Sequence, residues 1–179
     1  TRAIAGRRNM YQIGQYIMYG SIGVCRVKDI ADGAAIGLED GRYYVLDPLY
    51  ESGTIYTPAD APKVFMRPVI TRDEAEALID SIPSLEAEPD HTRNLQELRA
   101  HYKAATESHD CTHLLALTKS IRAKRRQQQR HGRKLGQVDE KFMKQAETCL
   151  FGEFAVALGM DIAEVPDYID QRIASGPIS

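Results

Sequence analysis

The sequence predicts an α+β chain, with a small strand-built barrel over residues 10–70 followed by a compact all-helical domain over 71–176. Three observations carry that reading. Seven glycines punctuate residues 14–53 at short intervals, with β-prone runs between them. No strand alternates with a helix there, which excludes a nucleotide-binding α/β unit and favours a bent sheet or barrel. From Thr71 onward the apolar spacing changes to threes and fours, the period of a helix face.

The first nine residues, TRAIAGRRN, have no periodicity and are expected to be a loose arm or a non-native remnant outside the fold. Five strands are then predicted: QYIMY (15–19), GVCRVKDI (23–30), AAIGL (34–38), RYYVL (42–46) and TIYTP (54–58). Gly20-Ser21-Ile22-Gly23 lacks a following helix and a Lys-Ser/Thr pair, so it reads as a strand-to-strand turn and not a phosphate loop. Asp40-Gly41 has the chemistry of a two-residue hairpin turn, and Glu51-Ser52-Gly53 marks a second turn.

Thr71-Arg72-Asp73-Glu74 is a capping box opening a helix that stops before Pro83. Residues 84–92, SLEAEPDHT, read as a linker. Leu95, Leu98 and Tyr102 begin the next helical pattern, and Asp110 caps a longer one through Leu114, Leu117 and Ile121 that Gly132 and Gly136 end. A third run, from about Asp139 to Leu158, places Phe142, Ala146, Leu150, Phe154 and Leu158 on one face, and Gly159 stops it. Asp161 with Glu164 caps a last segment carrying Val165, Tyr168, Ile169 and Ile173.

Chemistry-bearing constellations are few. No apolar run reaches the roughly 18–20 residues that span a bilayer, and no signal peptide is visible, so a cytoplasmic protein without membrane contact, monomeric when free, is expected. Cys25, Cys111 and Cys149 are odd in number and far apart, which predicts packed thiols rather than disulfides or zinc ligands. His109 and His113 have a zinc-like i,i+4 spacing, but Asp110 between them reads as a helix cap, and no third ligand lies at a familiar spacing. Asp73 with Glu74, and Glu86 with Glu88, fall in a cap and a linker. No nucleophile arrangement appears. The expectation is a non-enzyme with no cofactor and no metal.

The charge distribution is more informative. Residues 119–134, KSIRAKRRQQQRHGRK, hold eight Lys or Arg and no acid, whereas the rest of the chain has 15 basic against 25 acidic side chains. The apolar stripe of that helix ends at Ile121, and the same face continues with Lys124, Arg125 and Gln128, so the helix is expected to outrun its core. Lys119, Arg122, Arg126, Arg130 and Arg133 are spaced to line one side over about 20 Å at ~1.5 Å per residue. A solvated face ordinarily mixes signs, because like charges at i,i+4 oppose the helix. One sign over four turns points to a polyanion, and Arg-rich phosphate contacts position a protein without reading sequence.

The strings IGQYIMYGSIGVCRV and RYYVLDPLYESGTIYTPAD resemble the amino-terminal module of CarD/CdnL-type bacterial transcription regulators, a module shared with the transcription-repair coupling helicase. KSIRAKRRQQQRHGRKL, DEKFMKQAE and GEFAVALG are similar to that family's helical domain in its low-GC Gram-positive form. The resemblance implies a Tudor-like β-barrel that binds the RNA polymerase β subunit, beside a helical domain that touches promoter DNA at the upstream edge of the melted bubble. Its partner surface maps onto Val45, Tyr56 and Pro58, with Tyr56 standing where some members have Arg. Leu95 falls where some relatives insert a Trp into the minor groove; Leu95 is either such a wedge or a core residue. Arg93, Arg99, Lys103, Arg122, Arg125, Arg126 and Lys141 map onto phosphate contacts. Two alternatives stay open at this level: a ribosome- or RNA-associated module with a KOW-like barrel, and an adaptor that binds polymerase without DNA.

Overall fold

In the computed structural model, residues 11–176 are described; the amino-terminal arm expected from the sequence lies outside them. The chain divides into two compact units, one ending at Pro68 and the other beginning at Val69.

The first unit is a five-stranded antiparallel sheet in the order β4-β3-β2-β1-β5. Its strands are β1 (Tyr16–Tyr19), β2 (Gly23–Asp32), β3 (Arg42–Pro48), β4 (Ile55–Pro58) and β5 (Met66–Pro68). Alternation selects the inner face: Ile17 and Tyr19, Cys25 and Val27, and Tyr44 and Leu46 form one buried cluster. Register brings them into line, with Ile17 opposite Cys25 and Val27 opposite Leu46. Burial pushes the Cys25 thiol up to about 12, as suits an inert packed thiol.

Residues 34–38 are not the predicted strand. Asp32 accepts a hydrogen bond from the Ala34 amide and starts a short 3-10 turn, Gly33–Ile36, which Gly37 ends at φ +76°. The Gly33 amide bonds to Gly41 O at 2.7 Å, so a folded loop over 33–41 replaces the expected two-residue hairpin. A Cβ at Gly33 would lie 1.8 Å from Glu39 O, so only glycine fits. The fifth strand is instead Met66–Pro68, which pairs with β1. It is too short and Pro-bounded to show a period in the sequence.

The second unit holds α1 (Arg72–Ser81), α2 (Leu95–Glu107), α3 (Cys111–Arg130), α4 (Gln137–Leu158) and α5 (Val165–Ser175). The local signals behave as their chemistry dictates. Thr71 and Glu74 form the reciprocal capping box, Asp110 accepts from the Thr112 amide at 2.8 Å, and Gly159 takes the left-handed cap position. Ala146, Leu150, Phe154 and Leu158 are buried in the common core, with Phe142 packed at its margin. Glu153 is also fully buried, accepting from Cys111 Sγ and from the Ile70 amide, each at 3.0 Å. It joins the first residue of α3 to the start of the unit.

The expectation that α3 outruns its core at Ile121 is corrected here. Lys124 retains only 6 % exposure and its ammonium lies 3.0 Å from Oδ1 of Asp139, itself 3 % exposed. The Tyr102 hydroxyl donates to the same oxygen at 2.6 Å. The core therefore continues one turn further as a polar cluster. Removing one partner of such a pair strands the other charge out of water, which costs about 3–5 kcal/mol. Asp139→Ala is expected to lower unfolding free energy in urea by about 3 kcal/mol. Lys124→Met combined with Asp139→Leu is expected to recover most of that loss; a double variant no better than the single one contradicts this account.

Candidate nucleic-acid and partner interfaces

On the sheet, Val45 lies directly opposite Tyr56, and Tyr43 opposite Pro58. Paired residues share a face, and so do residues two apart. Val45, Tyr56, Tyr43 and Pro58 thus form one contiguous surface. Their accessibility differs. Tyr56 exposes 51 % of its surface, whereas Val45 exposes 8 % and supports its neighbour from within the sheet. Among the described residues β4 pairs only with β3, so one side of its backbone is open there at the sheet edge.

In the helical unit, contacts establish which helix ends lie together. Arg122 and Arg125 of α3 pair with Glu147 and Glu140 of α4, so these helices run antiparallel. Ala104 and Ala105 of α2 and Ser108 just after it share a groove with His113, Ala116 and Leu117 of α3, while Tyr102 reaches the Lys124–Asp139 pair. α2 and α3 are therefore antiparallel as well. The amino ends of α2 and α4 and the carboxyl end of α3 meet at one end of the unit.

That end is strongly cationic. Arg93, Arg99, Arg126, Arg130, Arg133, Lys134 and Lys141 are exposed there and make no hydrogen bond or ion pair among the described residues. Leu95, at the first position of α2, exposes 54 % of its surface, which rules out the core reading. Gly136, at the start of α4, provides no side-chain cap.

The expected row along α3 is divided. Lys119 donates to Ile82 O and Leu85 O at 2.6 and 2.7 Å and serves the chain after α1. Arg122 pairs with Glu147 at 2.9 Å, Lys124 is buried, and Arg125 pairs with Glu140 at 3.3 Å. Arg133 lies past the helix, which ends at Arg130. Lys103 pairs with Glu107 one turn on. Of the eight residues mapped to DNA, Arg93, Leu95, Arg99, Arg126 and Lys141 are thus exposed without an ionic partner, and Lys103, Arg122 and Arg125 are engaged. Sequence reasoning missed Glu147 and Glu140 as the partners of Arg122 and Arg125; the i,i+7 spacing of the two glutamates on one side of α4 was the available signal.

The chain is thus a two-module protein: a strand-built module with an open edge among the described residues, followed by a helical module with a cationic end. Residues 11–70 match the family described as the CarD-like/TRCF RID domain, an RNA polymerase-interacting module. That match assigns the strand unit to the CarD-like/TRCF RID domain and supports an RNA polymerase-interacting, transcription-related protein. No curated protein matches the chain. Among the described residues no helix is long and apolar enough to cross a membrane.

The linker before α2 is clamped. Asp90 Oδ2 lies 2.7 Å from His101 Nδ1, and Asp90 Oδ1 accepts from the Thr92 amide at 2.9 Å. The hydrogen bond to Asp90 raises the His101 pKa above its ordinary 6.5. Burial pushes Asp90 upward, but hydrogen bonds from Thr92 and His101 outweigh it and hold the carboxyl down at about 2. The signs set a window. His101 contributes fully below 6.5 and loses its contribution as pH rises through its raised value; Asp90 contributes fully above 3.8 and loses it as pH falls towards 2. NMR titration of the His101 ring is expected to give a midpoint above 6.5 that Asp90→Asn returns to the ordinary range; an unchanged midpoint contradicts the clamp.

Proposed function

We propose that the chain binds the β subunit of RNA polymerase through the β3–β4 surface around Tyr56 and stabilises the promoter open complex through the cationic end of the helical unit. The observation that carries this reading is the convergence of seven unpaired cations and an exposed leucine on one end of a unit joined to a polymerase-interacting domain. The cations meet phosphates and supply no base readout, so contact is independent of sequence. Leu95, flanked by Arg93 and Arg99, has the apolar character of a minor-groove wedge at the fork.

The two contacts cooperate through tethering. Binding polymerase raises the local concentration of promoter DNA at the helical unit, so weak phosphate contacts suffice. The unit shifts the closed-to-open equilibrium only by the difference in its fit to the two states. A difference of ~1.4 kcal/mol shifts it about tenfold. Tyr56 contributes aromatic packing to polymerase where an Arg contributes charge in some relatives, so this contact is expected to be less sensitive to salt.

Tyr56→Ser is expected to weaken binding to purified polymerase about tenfold or more, read by interferometry. In abortive-product assays at a promoter with an unstable open complex, Arg126→Ala with Lys141→Ala is expected to reduce stimulation while leaving polymerase binding intact. Equal stimulation by this variant removes the DNA contact from the mechanism; retention on ribosomes in place of polymerase replaces the whole reading with an RNA-associated one.

A further inference from the structure

The side of α3 facing α4 carries phosphate-binding groups that the free protein keeps occupied. Arg122 Nε and Nη2 both donate to Glu147 Oε1, at 3.2 and 2.9 Å, and the guanidinium lies 5.8 Å from the centroid of the Phe151 ring. Arg125 Nη2 donates to both Glu140 oxygens at 3.3 and 3.4 Å. A carboxylate offers a guanidinium the same two-oxygen edge that a phosphodiester does. Each pair is partly open to solvent, and exposed ion pairs are held weakly. Arg125 and Glu140 are the chain neighbours of the unpaired Arg126 and Lys141, so a backbone lying on those cations passes beside the pair.

We propose that Glu140 and Glu147 stand in for phosphates on Arg125 and Arg122, so that this side is a latent extension of the DNA surface. On docking, each arginine exchanges its carboxylate for a backbone phosphate. The exchange needs only side-chain rotation, because Phe151 continues to support the Arg122 guanidinium. In the free protein the two glutamates hold affinity for duplex down, and the extension opens when DNA is supplied at the high local concentration of a polymerase complex. This rests on the DNA-binding reading above and adds to it which arginines are held in reserve and by what.

The test measures binding of the full chain to a labelled duplex across a salt gradient by fluorescence anisotropy. Glu140→Gln and Glu147→Gln are each expected to tighten binding about fivefold and to steepen the slope of log K against log salt by about one, the mark of one additional phosphate contact. Asp170→Asn, the same charge change at an exposed site on α5, is expected to do neither. In an Arg125→Gln background the gain from Glu140→Gln is expected to vanish. An unchanged slope in the double glutamine variant, while the wild type binds duplex normally, overturns the inference and spares the DNA reading. A gain that survives Arg125→Gln also overturns it, since a general field effect needs no particular arginine. If neither wild type nor variants bind duplex at any salt, the DNA reading itself falls. Thermal unfolding of each variant checks that the isosteric changes leave the fold intact.

Discussion

The helical unit depends on a charge pair that water does not reach. Lys124 and Asp139 are 15 positions apart in sequence, yet their side chains meet at 3.0 Å in the core. Desolvating two ions is expensive, and the attraction repays it only if the remaining polar valences are filled. Tyr102 supplies that third contact, and burial together with the Asp139 charge raises its pKa, keeping the phenol a donor. Three helices are thereby tied at one level. Because the pair holds the start of α4 against the last turns of α3, Glu140 falls beside Arg125, while Arg126 and Arg130 fall beyond reach of any α4 carboxylate. The boundary between neutralised and free cations follows from this one contact.

Charge in the basic stretch consequently has two roles. Lys119 satisfies carbonyls left open where the chain leaves α1, Arg122 covers Phe151, and Lys124 closes the core. The remaining cations face solvent at a helix end, where they cost nothing in desolvation and are available to a polyanion. A run of like charge is therefore not by itself a binding site; the acidic face of the neighbouring helix decides which part of it is one.

In the strand unit, parity places Tyr56 on the face opposite the main buried cluster. Ile17, Cys25, Val27 and Leu46 pack in one cluster; on the other face Met18, Val24 and Val45 are also buried, and Tyr56, opposite Val45 at the sheet edge, is the exposed member. A one-residue slip in β3 or β4 would exchange these sets, so the buried cluster that holds the unit together also sets which tyrosine is presented. The fixed loop at Gly33 limits such slippage at one end of the β2–β3 pair.

Much of this architecture was determined by residues within a few positions of one another. The capping box at Thr71, the Asp110 cap, the left-handed Gly159 and the alternation in β1 to β3 are local signals, and each forms as its neighbours dictate. The position of Arg126 was legible in the unmixed charge of its stretch, whereas Tyr56 and Lys141 were singled out only by the resemblance to a family module. The run at 34–38 misled because its apolar residues carry no information about the Asp32 cap and Gly37 conformation that bend them into a turn. Only the tertiary structure decided that Lys124 is buried and that Arg122 and Arg125 are neutralised. Their partners lie 15 to 25 positions away on another helix, and the choice of partner depends on interhelical register, a quantity that no local propensity encodes.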